Sequence, residues 1–146
     1  MHLGFFQCRT RYEYDRVFPQ TSTQEEVFEA VQPLCISVLD GYNVCIFAYG
    51  QTGSGKTFTM EGSTGNRGVS PRAIAELLNQ VEQQKDTCTY TITLSMLEIY
   101  NETILDLLPM NPGQKEKEKL DIRQTADGNQ VVGLTETTVS YVNILY

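Results

Sequence analysis

The chain has 146 residues, enough for one ordinary domain, and its 40% hydrophobic and 20% charged residues are those of a soluble globular protein. Its longest purely apolar run is the six residues Val44–Tyr49, which excludes a bilayer-spanning segment. A net charge of −7, from 11 basic and 18 acidic residues, argues against a nucleic-acid binder.

The start, Met1-His2-Leu3-Gly4-Phe5-Phe6, has neither a basic beginning nor a long apolar stretch, so no secretory signal is expected. His2 is the only histidine, which disfavours Ser-His and Cys-His catalytic pairs and a His-based zinc site. Cys8, Cys35, Cys45 and Cys88 show no metal-ligand spacing. Three of them lie in apolar surroundings and read as small core residues of a reduced, intracellular protein.

Arg11 to Phe18 alternates enough for a short strand, stopped by Pro19. Ser22 and Glu25 have capping-box spacing and predict a helix start. Val27, Val31, Leu34, Cys35 and Val38 recur at helical intervals and form its apolar face. Pro33 removes a donor inside that helix, so a bend or break is expected near Gln32. Gly41 is placed to end it. Val44 to Tyr49 is apolar throughout, as a parallel strand covered on both faces would be.

Gly50-Gln51-Thr52-Gly53-Ser54-Gly55-Lys56-Thr57 follows directly and fits Gly-x-x-x-x-Gly-Lys-[Ser/Thr], the loop that wraps a nucleotide's phosphates. Glycines allow tight turning and close approach, so that successive N–H groups face phosphate oxygens. Lys56 would bring a compact positive charge to the β- and γ-phosphates, and the Thr57 hydroxyl would ligate Mg²⁺. A helix can open at Lys56 with its N-terminus toward the phosphates. The alternative is a Gly-rich turn that happens to contain Lys-Thr.

Glu61 to Gly68 reads as a surface loop interrupting that helix. Ser70 and Pro71 have the look of an N-cap and a first-turn proline, with Ile74, Leu77, Leu78 and Val81 as the buried stripe beyond. From Cys88 to Met96 apolar residues alternate with Thr and Ser as in a long strand, and the parity changes at Leu97, where a bulge would sit. Pro109 to Lys119 is a polar excursion whose run Lys115–Lys119 reads better as a solvated loop than as a docking contact. Leu120–Arg123 and Gln130–Val132 flank Asp127-Gly128, a hairpin turn signal. Strands alternate with helices early and antiparallel hairpins follow, so the fold class is α/β with a mixed sheet.

Four segments in order resemble the kinesin motor domain. They are Tyr14-Asp15-Arg16-Val17-Phe18, Gly41 to Gly62 around the phosphate loop, Ser70-Pro71-Arg72-Ala73, and Glu98-Ile99-Tyr100-Asn101-Glu102 with Asp106-Leu107-Leu108. The resemblance runs from about Arg11 to Val142, and Phe58 gives it the style of the C-terminal-motor kinesins. It implies an incomplete motor domain of P-loop NTPase type, with a mixed sheet and flanking helices, that uses ATP and Mg²⁺. The partner would be the microtubule, engaged through the full domain, with neither nucleic acid nor membrane, in the cytoplasm and cytoskeleton. By the family pattern Gly50, Gln51, Thr52, Gly53, Ser54, Gly55, Lys56 and Thr57 would hold the phosphates, with Thr57 on Mg²⁺. Phe58 would lie on one adenine face, against the alternative of core packing at a helix start.

Departures from the pattern set further expectations. Arg9-Thr10-Arg11-Tyr12 mimics the family's Arg-x-Arg-Pro superficially, lacks its proline, and lies too close to Tyr14-Asp15 to be its equivalent. The switch motifs Asn-x-x-Ser-Ser-Arg-Ser-His and Asp-Leu-Ala-Gly-Ser-Glu do not occur in the sequence, so residues 1–146 are expected to be a little under half of a motor domain, cut at both ends. Glu98 and Asp106 are weak candidates for a Mg²⁺ carboxylate in place of those motifs, as an unrelated P-loop kinase would need. The alternatives for the isolated chain are a non-catalytic fragment that binds nucleotide or a partner, and that unrelated kinase. Sheet edges and apolar faces are expected to lie open.

Overall fold

The computed structural model describes residues 10–108, 120–126 and 128–139. The amino-terminal six residues, Cys8, Arg9, the 109–119 excursion, Asp127 and Val142 lie outside the described residues. The chain divides after Glu82 into two compact units.

The first unit is helical. Helix α1, Gln24–Leu39, begins at Thr23, whose Oγ1 accepts the Glu26 N–H at 3.2 Å while Glu26 Oε2 accepts the Thr23 N–H at 2.9 Å. The capping box is therefore Thr23-x-x-Glu26, one residue later than the Ser22-x-x-Glu25 expected from spacing. Both readings satisfy the pattern. The structure selects the second because the Ser22 N–H is turned back onto the Pro19 carbonyl at 2.9 Å, leaving Ser22 outside the helix.

No break occurs at Pro33. The helix runs unbroken past it, because Pro33 lies on the exposed side, where water can satisfy the one carbonyl that loses its donor. The Ser37 hydroxyl donates to the Pro33 carbonyl at 3.2 Å. At the other end Gly41 N–H reaches Val38 O and Tyr42 N–H reaches Ser37 O, both at 3.0 Å, a Schellman closure as the glycine suggested. Of the expected apolar face only Cys35 is buried, and Leu34 and Val38 are exposed. The inward stripe runs instead through Gln24, Phe28, Val31 and Cys35.

Helix α2, Lys56–Met60, follows the phosphate loop and gives way to a miniature hairpin of β1, Gly62–Ser63, and β2, Asn66–Arg67. The expected interruption of the helix at 61–68 is this hairpin. Gly68 N–H closes it on Glu61 O at 2.9 Å and leads straight into α3, Val69–Gln83. The helix thus starts before Ser70, which is not its cap. Pro71 sits in the first turn, where a missing N–H has no intrahelical acceptor to lose. Val69 and Leu78 are buried, Leu77 and Val81 partly so, and Ile74 is exposed.

Neither the 11–18 nor the 44–49 segment belongs to a ladder. Val44–Tyr49 was expected as a buried parallel strand. Among the described residues no backbone hydrogen bond reaches it, and Phe47 is 86% and Tyr49 101% exposed. A strand exists only through its neighbours, and here none is supplied. Open apolar faces, as expected, are the result.

The second unit consists of antiparallel pairs. β3, Thr93–Leu94, pairs with β8, Thr137–Thr138; β4, Leu97–Tyr100, with β5, Thr103–Asp106; β6, Asp121–Thr125, with β7, Gly128–Val132. The long strand expected over 88–96 shrinks to two residues. The parity change at Leu97 is real, but its cause is a change of partner from β8 to β5. Asn101 and Glu102, at φ of 47° and 61°, make the tight β4–β5 turn, whose left-handed residues match the strands' twist. Asp106 Oδ1 accepts the Leu108 N–H at 3.0 Å and Oδ2 the Thr135 N–H at 2.8 Å, tying two stretches of the unit together. The 120–132 hairpin forms as expected, but Thr125 pairs with Gly128, so the turn falls one residue earlier and Gly128 opens β7. Among the described residues no helix is long and apolar enough to cross a membrane.

Two outcomes test the α1 start. Thr23→Ala should lower the urea-unfolding free energy by about 1 kcal/mol, whereas Ser22→Ala should leave it unchanged. The Glu25 carboxyl is held below the ordinary 4.5 by a backbone hydrogen bond and then by the Arg72 guanidinium, with desolvation opposing. Because the folded value is the lower one, its stabilisation is complete above pH 4.5 and is lost as pH falls through the folded value. Glu25→Gln should remove that acid-side decline, measured by thermal midpoints from pH 6 down to about pH 3.

Candidate phosphate-binding loop

Residues 50–57 fold into a compact turn rather than an extended link. Ser54 N–H donates to Gln51 O at 3.1 Å, closing the centre of the loop. Gly55 is the N-cap of α2 at φ 92°, a left-handed conformation that a side chain would resist. At Gly50 the constraint is space, since a Cβ there would lie 2.4 Å from Ser54 Oγ.

No side chain caps α2. The earliest backbone bond into it is Thr59 N–H to Gly55 O at 2.9 Å. Among the described residues the amides of Lys56, Thr57 and Phe58 donate to no carbonyl, and they crowd one helix end where the peptide dipoles place partial positive charge. Left-handed Gly53, at φ 79°, and Gly55, at φ 92°, flank Ser54, whose φ is not positive, an alternation that suits an anion nest.

Lys56 completes the arrangement. Its Nζ donates to the carbonyls of Gly50 and Gln51, each at 2.8 Å. An ammonium has three donors, so one hydrogen remains for an anion. Thr57 is exposed, and its hydroxyl makes no hydrogen bond among the described residues. A single hydroxyl oxygen with an open face suits a hard divalent cation that keeps most of its waters.

Phe58 is 52% exposed, so it is no core residue, and an open ring face beside the loop suits stacking. Its carbonyl accepts a hydrogen bond from Gln24 Nε2 at 2.7 Å. Gln24 is the residue that pattern reading passes over. Its sequence signal is its register, four and seven residues before Phe28 and Val31 on the inward stripe of α1.

The remaining candidates lie elsewhere. Glu98 is an exposed member of β4, and both oxygens of Asp106 already accept backbone N–H groups. Arg11 is exposed and faces Glu13 at 3.7 Å. Of the cysteines expected in the core only Cys35 is buried, and burial, then the nearby Glu76 carboxylate, push its thiol up. Cys45 and Cys88 are exposed because neither stretch joins a ladder.

Comparison with known proteins places this geometry. The kinesin motor domain family model matches residues 6–146. Kinesin-like protein KIN-14R of Arabidopsis thaliana is 50% identical over 133 residues, 90% of this chain and 12% of that protein. Kinesin-like protein KIN-14E of Oryza sativa subsp. japonica is 51% identical over 136 residues, 92% of this chain and again 12% of that protein. These relatives agree with the resemblance to C-terminal-motor kinesins.

Among solved structures, a KIF14 dimer in its two-heads-bound state, with AMP-PNP and in complex with a microtubule, superposes with a TM-score of 0.73. It is 37% identical, covering 86% of this chain and 36% of that one. Mutant crystal structures described as revealing a signalling pathway for activation of the kinesin motor ATPase give 0.74 at 38% identity, covering 88% and 39%. The chain therefore spans about an eighth of these two curated relatives and under two fifths of these solved chains. The α/β fold of P-loop NTPase type is thus that of part of a motor domain, and the chain belongs to the kinesin motor domain family.

Proposed function

We infer that residues 1–146 are the phosphate-loop part of a microtubule motor ATPase, and that their own chemistry is to hold Mg·ATP. The observation that carries this is the set of undonated amides at the start of α2 beside a lysine with one free donor. Gly50 to Thr57 take the phosphates, the Thr57 hydroxyl takes Mg²⁺, and Phe58 stacks on adenine. Mg²⁺ held there would supply charge neutralisation to the phosphates.

Binding is separable from turnover. Phosphoryl transfer to water also needs a group that orients the attacking water and a further Mg²⁺ carboxylate. Of the two weak carboxylate candidates, Glu98 is exposed on β4 and Asp106 spends both oxygens on backbone amides, and the switch motifs do not occur in this sequence. The chain by itself holds nucleotide without hydrolysing it at a motor's rate. An unrelated P-loop kinase is not favoured.

Microtubule and hence cytoskeletal, cytoplasmic association belongs to the whole motor. The Leu120–Thr135 stretch, which resembles a family microtubule contact, carries the exposed strand β6 but is weakly basic, with Arg123 set 3.9 Å from Asp121. A net charge of −7 opposes docking on an acidic polymer.

Mg·ATP at about 100 times its Kd should stabilise the chain by about 2.7 kcal/mol, raising its melting midpoint by several degrees. Lys56→Ala should abolish the rise. An unchanged midpoint at millimolar Mg·ATP would refute the reading. Phosphate release by the isolated chain should stay at background with or without microtubules, and co-sedimentation at low salt should be weak; stimulated turnover would overturn the separation of binding from hydrolysis.

A further inference from the structure

Gln24 is the one buried polar side chain among the described residues, at 4% exposure, and it opens α1. Its Nε2 spans 34 residues of sequence to reach the Phe58 carbonyl. That carbonyl has a particular need. In a continuing helix it would accept the N–H four residues on, at Gly62. Helix α2 ends at Met60, and Gly62 already belongs to β1, so the Phe58 oxygen is one of the last-turn acceptors that a short helix leaves over. Gln24 supplies the missing donor from another helix.

Helix α2 depends on such support. Isolated helices below about 12 residues are marginal in water, and this one has five. Its first turn carries Lys56, Thr57 and the undonated amides. The neighbouring Glu25 pairs instead with Arg72 of α3, whose Nε donates to Arg67 O at 2.8 Å. The two adjacent residues thus divide the work: Gln24 bonds to α2, and Glu25 to α3.

We propose that Gln24 is a positioning residue for the phosphate site, capping the far end of α2 so that its first-turn amides stay aimed at the ligand. This rests on the reading that the 50–57 loop takes Mg·ATP. Gln24→Met keeps the volume and removes the donor, and Gln24→Glu keeps the shape and replaces the donor with an acceptor. Loss of this part-buried hydrogen bond from the cap corresponds to roughly a tenfold rise in Kd for Mg·ATP.

The test is the Kd of the 146-residue chain for Mg·ATP, measured well below the unfolding midpoint of each variant. Both Gln24 variants should bind about tenfold more weakly. Glu25→Gln, which loses a tie to α3 only, should bind like the parent. In the unsubstituted chain labelled with ¹⁵N, the Gln24 side-chain amide resonances should shift on saturation with Mg·ATP. This measurement decides the matter if the variants do not fold. A lowered midpoint with unchanged Kd in Gln24→Met would overturn the proposal, as would equal weakening by Glu25→Gln or an unmoved Gln24 resonance. Absence of binding by the unsubstituted chain would overturn the phosphate-loop reading, and this inference with it.

Discussion

The Lys56 ammonium lies across its own loop, held by the carbonyls of Gly50 and Gln51, and this contact organises everything else at the site. A lysine on a flexible four-carbon stem would otherwise sample many positions. Two carbonyl acceptors fix its charge over the turn and draw the 50–57 backbone into a ring. The same closure sets the first turn of α2 with its amides outward. At Gly50 a Cβ would crowd the Ser54 side chain, and at Gly55 the chain must pass through a left-handed residue to begin the helix.

The surroundings of the loop are arranged to hold a very short helix in place. Alone, α2 would be a frayed turn. It persists between a glycine cap on one side and a hairpin on the other, with its leftover carbonyl accepting a hydrogen bond from Gln24 of α1. The first turn of α1 is therefore more than a helix start. Thr23 and Glu26 satisfy each other, freeing Gln24 and Glu25 to reach α2 and α3. Had the helix begun one residue earlier, Glu25 would have been spent on the capping box.

What was legible in the sequence followed how local the physics is. The phosphate loop, the glycine closure at Gly41 and the 120–132 hairpin depend on neighbours within a few residues, and all could be read from residue types. The α1 cap was legible to within one position, because Ser22-x-x-Glu25 and Thr23-x-x-Glu26 satisfy the same pattern. The break expected at Pro33 does not occur, because its cost depends on whether solvent reaches the orphaned carbonyl, which no pattern encodes. Ladder membership beyond a local hairpin could not be read. Val44–Tyr49 has the composition of a buried strand, but pairing is a property of what lies alongside. The role of Gln24 was hidden for a related reason, since its partner is 34 residues away.

Cys45 gives the unpaired segment a practical use. Its thiol is exposed near the start of Val44–Tyr49, whereas Cys35 is enclosed and harder to ionise. Alkylation speed at Cys45 is thus a built-in gauge of cover over this stretch, slowing whenever another chain segment lies down beside it.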